Sequence, residues 1–217
     1  MPSLVRIEPY DVQVALAALD LTFEECMAAF EAMAAAVGGC TDNDPPTAPG
    51  WDAWRFGVRR WREIKRSQGW LKNDAENICT IVHPKAAFRI AVANTDESTG
   101  IVSANPRSRS VKGDGSRRAV ALNNSPPLPL PEFIEEFERQ LKAAAAAQAH
   151  IWYFCAYIQG DVRRLELSKP TGIVGGHFSG WDERIILIDK DGPVCGRSKP
   201  IDEIYGPDVE VVVRRKG

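Results

Sequence analysis

The chain has 217 residues, 44% hydrophobic and 26% charged, the balance of an ordinary globular domain long enough to bury one core without staples. Lys and Arg number 27 against 29 Asp and Glu, a formal net charge of -2, which excludes a globally basic nucleic-acid protein but not local basic patches. Five widely spaced cysteines with no CxxC predict free thiols in the cytoplasm, with neither a disulfide framework nor a zinc ladder.

The opening residues, MPSLVRIEPYD, lack a basic segment followed by an apolar one, so no secretory signal is expected. No apolar run approaches the ~18 residues that span a bilayer, and no membrane partner is predicted. Asp11 is placed to cap a short helix, Val12 to Leu19. Thr22 and Glu25 form a capping box ahead of a second helix, in which Phe23, Met27, Phe30, Ala34 and Val37 mark an apolar face. Gly38-Gly39 ends it, and the Pro-rich stretch from Thr41 to Gly50 reads as a loop. A third helix is expected from Trp51 to Gln68.

Ile78 to His83 and Ala86 to Ala93 read as strands. From Asn94 to Asn124 the periodicity dissolves into a long polar segment, followed by a polyproline stretch, Ser125 to Pro131, read as a spacer. Pro131 then suits the first turn of a long helix reaching about Ala149. Ile151 to Ile158, Val162 to Leu167, Arg184 to Ile188 and Val209 to Arg214 are strand-like, with Gly160-Asp161 as a hairpin turn. Strands that follow strands predict an α+β fold: a helical N-terminal portion, then a largely antiparallel sheet with one long packed helix. Residues 1–217 are read as a single domain. A subdivision into a helical portion, 1–73, and a sheet-rich portion, 74–217, carries an irregular basic loop at 94–130.

Charge is segregated along this order. Residues 1–50 hold one base and eight acids, residues 51–73 seven bases and two acids, and residues 104–118 five bases and one acid. On the third helix Trp51, Trp54, Val58 and Trp61 recur at helical spacing as an apolar stripe. Arg55, Arg59, Arg62 and Arg66 follow one residue later and form a stripe about 100° round the same helix. Guanidinium forks match phosphate oxygens, and an exposed Trp54 or Trp61 would stack on a base. The competing structural reading makes the tryptophans core and pairs Arg59 and Arg62 with Glu24, Glu25 and Glu31 of the second helix. Arg107, Arg109, Lys112, Arg117 and Arg118 give the 104–118 loop the composition of a flexible phosphate-binding arm.

Other chemistries fit less well. A helix-turn-helix over residues 11–37 would aim Glu24, Glu25 and Glu31 at phosphates. Thr171 to His177 lacks the Gly-Lys-Ser/Thr ending of a phosphate loop, and Lys112 to Ser116 lacks its context, so both read as turns. Cys155 reads as a core residue, while Cys79 and His83 share a strand face as a weak site candidate. Trp70 and Trp181 follow glycines and would be protein-binding hot spots if exposed.

The leading expectation is a non-enzymatic, cytoplasmic protein that engages nucleic acid, or a nucleic-acid-handling complex, through the two basic islands. Its contacts are Arg55, Arg59, Arg62, Arg66, Arg107, Arg109, Lys112, Arg117 and Arg118. One alternative is a protein-interaction module using the acidic N-terminal face. Another is a metal-dependent hydrolase of nucleic acid built on Asp161 with Glu166, or Asp182 with Glu183. No catalytic residue, metal ligand or cofactor is assigned.

Overall fold

A mixed sheet organises residues 3–126 and 149–195, the part of the chain that the computed structural model describes. Its strands are β1 (Leu4–Arg6), β2 (Leu71–Asn73), β3 (Thr80–Val82), β4 (Phe88–Asn94), β5 (His150–Gln159), β6 (Val162–Val174), β7 (His177–Asp189) and β8 (Gly192–Pro193). They lie in the order β1-β7-β6-β5-β4-β3-β2, with β8 also paired to β7. The β1–β7 and β4–β5 pairs are parallel and the others antiparallel, so the fold is α+β as the run of strands predicts.

Side-chain alternation gives the sheet two buried faces. Phe88, Ile90 and Val92 of β4, Phe154 of β5 and Leu165 and Leu167 of β6 face the helices α1 (Pro9–Ala18), α2 (Phe23–Gly38) and α3 (Ala48–Ser67). Ala91 and Ala93 of β4 and Tyr153 and Cys155 of β5 face the opposite way, against Ala119 and Val120 of α4 (Asp114–Ala121). The capping box of α2 forms as its spacing predicts: Glu25 N–H donates to Thr22 Oγ1 at 3.2 Å, and Thr22 N–H donates to Glu25 Oε2 at 3.0 Å. Gly57 lets α3 settle onto α2 and the sheet, since a Cβ there would lie 2.8 Å from both Cγ and Sδ of Met33.

Several expectations are corrected. The polar segment after Asn94 is not irregular throughout, because residues 114–121 are helical. Burial of Ala119 and Val120 stabilises this helix, and Asn123 beyond it donates to the carbonyls of Ile151 (2.9 Å) and Pro170 (2.7 Å). Helix α1 begins at Pro9, so Asp11 lies in its first turn and is not the cap. The turn expected over Thr171 to His177 narrows to Gly175-Gly176, whose φ values of +59° and +82° suit glycine; its flanks belong to β6 and β7. Trp70 and Trp181 are buried, so the exposure on which a hot-spot role depends is not met. The helix expected from Pro131 and the strand Val209 to Arg214 lie outside the described residues.

Candidate nucleic-acid interface

Helix α3 presents its two stripes to different surroundings. Trp61 belongs to the core and meets Phe154 edge-on, with ring centroids 5.1 Å apart. Trp54 is partly buried against the same core, whereas Trp51, one turn earlier, is not part of it. Trp51 is 60% exposed, and its ring leans on that of Trp54 at 5.0 Å and 40°. Three turns of α3, together with Lys72 of β2 and Cys79, line an open recess of about 580 Å³; Arg55, Arg59, Arg62 and Arg66 all contribute to its lining, as does Glu63, which pairs with Arg60 at 3.4 Å.

These four arginines differ in what they touch. Arg55 pairs with Asp52 at 3.1 Å on the same helix. Arg62 is bound to Asp74, which Lys72 also reaches at 2.9 Å. Burial raises the Asp74 carboxyl, but Arg62 and Lys72 outweigh it and hold it at about 2. Arg59 lies 5.0 Å from the centroid of the Phe56 ring, and neither it nor Arg66 has a carboxylate partner among the described residues. The pairing of Arg59 and Arg62 with Glu24, Glu25 and Glu31 is not formed. Glu25 instead takes Lys65, whose buried ammonium donates to Glu25 Oε2 (2.9 Å), Gln68 Oε1 (2.7 Å) and the Asp20 carbonyl (2.7 Å). One residue of helical rotation decides this, since Lys65 turns toward α2 while Arg66 turns toward the recess.

A second recess, of about 530 Å³, shares one lining residue, Trp54, with the first. Thr47, Gly50, Trp51 and Trp54 form one wall; Asn94 at the end of β4 and the segment carrying Arg109, Ser110 and Lys112 form the other. Arg109 is fixed there by its backbone N–H, which donates to the Asn94 carbonyl at 3.0 Å. Lys112 is half-buried over the rings of Tyr153 and Phe178, with Nζ 5.7 and 5.4 Å from their centroids, and burial lowers its pKa. Of the second basic island, Arg109 and Lys112 line the recess that shares Trp54 with the arginine recess. Arg107 is exposed, and its N–H donates to Asp96 Oδ1 at 3.1 Å. Arg117 pairs with Asp114 at 3.0 Å, and Arg118 with Glu76 at 2.9 Å, away from both recesses. Sequence reasoning missed Lys72 and Asn94 as lining residues. Lys72 had a signal, its place at the end of the first basic island, whereas Asn94 had none.

The carboxylates proposed for hydrolysis have other occupations. Glu166 is fully buried and bound to Arg184, Asp182 pairs with Lys169 at 3.0 Å, and Glu183 pairs with Arg6. Asp161 is exposed in the β5–β6 turn. Among the described residues no group of three His, Cys, Asp or Glu is placed to hold a metal ion. Cys79 and His83 are not brought together as a pair: Cys79 lines the arginine recess, while His83 meets Trp70 edge-on and leans on Phe88. Among the described residues no helix is long and apolar enough to cross a membrane. No protein-family model, curated protein or solved structure matches the chain.

Proposed function

We propose that the protein binds nucleic acid without cleaving it, through the arginine recess of α3 and the adjoining wall of Arg109 and Lys112. The observation that carries this reading is Trp54, which lines both the recess of the α3 arginines and the recess of Arg109 and Lys112. Arg59 and Arg66, which have no carboxylate partner among the described residues, supply phosphate contacts without first breaking an ion pair. Arg55 and Arg62 serve as lesser contacts, because Asp52 and Asp74 compete for them. Contacts of this kind give salt-dependent affinity with little sequence selectivity.

The test is fluorescence anisotropy with labelled single-stranded and duplex oligonucleotides at low salt, in Mg²⁺ and in EDTA. The wild type binds, the strand survives in Mg²⁺, and Arg59→Glu/Arg66→Glu loses binding while keeping its circular dichroism spectrum. Absence of wild-type binding at low salt contradicts the reading, as does undiminished binding by the folded variant.

A further inference from the structure

The second recess carries an inference that rests on the reading just given and deepens it. We infer that the nucleic acid is single-stranded, with one base stacked on Trp51 inside this recess and its phosphate held between Arg109 and Lys112.

Four observations lead there. Trp51 is a large aromatic left 60% exposed at the rim of a cavity, already leaning on Trp54 at 5.0 Å. A planar ligand covering its free face extends that stack and buries apolar surface that the fold leaves in water. The cavity, about 530 Å³, falls within the range that holds small ligands and is large enough for one nucleotide unit. The wall facing the indoles is cationic, and Lys112 there touches aromatic faces but no carboxylate among the described residues. An ammonium removed from water without a counterion is costly, and a phosphate oxygen in the recess would relieve that cost.

Trp54 lines this recess and the arginine groove alike. A strand whose base enters the recess would pass its neighbouring phosphates by Trp54 toward the groove of Arg59 and Arg66. Bases in a duplex are stacked and paired, so a duplex can reach the arginine groove but cannot place a base beside Trp51 unless one is flipped out. A strand without bases has the phosphates but nothing to stack.

Three labelled probes separate these contributions: an oligo-dT strand, the same strand in a duplex, and a strand of equal length made of abasic units. The wild type binds oligo-dT more tightly than either of the others. Trp51→Ala, at an exposed position, weakens oligo-dT binding roughly 5- to 150-fold and leaves the duplex and the abasic strand unchanged. Trp51→Phe retains a large part of the preference. Arg59→Glu/Arg66→Glu weakens all three probes. Wild-type-like binding of oligo-dT by Trp51→Ala overturns the stacked-base inference while leaving the groove reading intact. Equal affinity of the wild type for all three probes overturns it in the same way. Failure of every probe to bind at low salt overturns both.

Discussion

Arg184 and Glu166 form an ion pair sealed from solvent, with Nη2 2.6 Å from Oε2 and both side chains no more than 1% exposed. The pair stands on neighbouring strands β6 and β7 and fastens the loop after β4 to the sheet. Gly100 N–H donates to Glu166 Oε2 at 2.8 Å, and Arg184 Nη2 donates to the Ile101 carbonyl at 3.2 Å. Ser168 Oγ donates to Glu166 Oε1 at 2.7 Å and completes the carboxylate's hydrogen bonds. Removing one partner strands the other charge in the interior. Glu166→Ala is therefore expected to lower the unfolding free energy by about 3–5 kcal/mol, measured by urea denaturation. Glu166→Leu/Arg184→Met is expected to recover much of that loss, because a buried pair is often replaceable by apolar side chains. A Glu166→Ala protein of unchanged stability would contradict a structural role for the pair.

Gly100 is the pivot of the same loop. Its φ is +70°, and a Cβ there would lie 2.5 Å from the Ile188 carbonyl oxygen. Gly100→Ala combines a left-handed backbone with a clash against main chain that cannot rotate away. The expected loss is about 1–3 kcal/mol, read as a fall in thermal midpoint. Gly160, also at positive φ (+56°) but with open space around it, provides the control: Gly160→Ala carries the backbone strain without the clash and costs less.

Stability is also expected to depend on pH through His83. Its Nδ1 accepts hydrogen bonds from the N–H groups of Lys85 (3.0 Å) and Ala86 (2.8 Å), which a protonated nitrogen cannot do. Burial lowers its pKa, and the opposing pull of Asp20 does not restore it. A depressed folded value means that the contribution is complete above the unfolded histidine pKa, ~6.5, and is lost as pH falls through the folded value. Denaturant midpoints should therefore fall on acidification below about pH 6.5, with the β3–β4 turn loosening first by amide exchange. In His83→Gln this part of the pH dependence should vanish. An NMR titration placing His83 above 6.5 would contradict the assignment.

Local signals in the sequence survive folding where they are self-contained. The Thr22–Glu25 capping box and the Gly160-Asp161 turn depend on neighbours within one turn, and each takes its expected form; of the apolar face expected on α2, Phe30 and Ala34 are buried while Phe23, Met27 and Val37 are only partly so, the face being completed by Cys26, Ala29 and Met33. Helix α4 was hidden because Asp-Gly-Ser-Arg-Arg is polar at its start, and only Ala119 and Val120 make buried contact. The stripe of Trp51, Trp54 and Trp61 correctly gave one side of α3, yet spacing does not say how far the opposing surface extends. Trp61 found core and Trp51 found water. The partners of Arg62 and Lys65 turned on long-range placement: Asp74 follows a strand, and Glu25 lies on another helix. The clustering of the α3 arginines was legible from periodicity. That Arg109 and Lys112 line a recess with Trp51 and Trp54, while Arg107, Arg117 and Arg118 do not, depends on where β4 ends and was not legible.

The central claim is that Arg59 and Arg66 contact phosphates, and the salt dependence of binding tests it most directly. Each neutralised phosphate adds about 0.7 to the slope of log K against log salt for a single strand. The wild type should show a steep negative slope with oligo-dT, and Arg59→Ala/Arg66→Ala should reduce its magnitude by about 1.4 while weakening binding at every salt concentration. An unchanged slope in the folded double variant would contradict the account, because the two arginines would then be making no phosphate contacts.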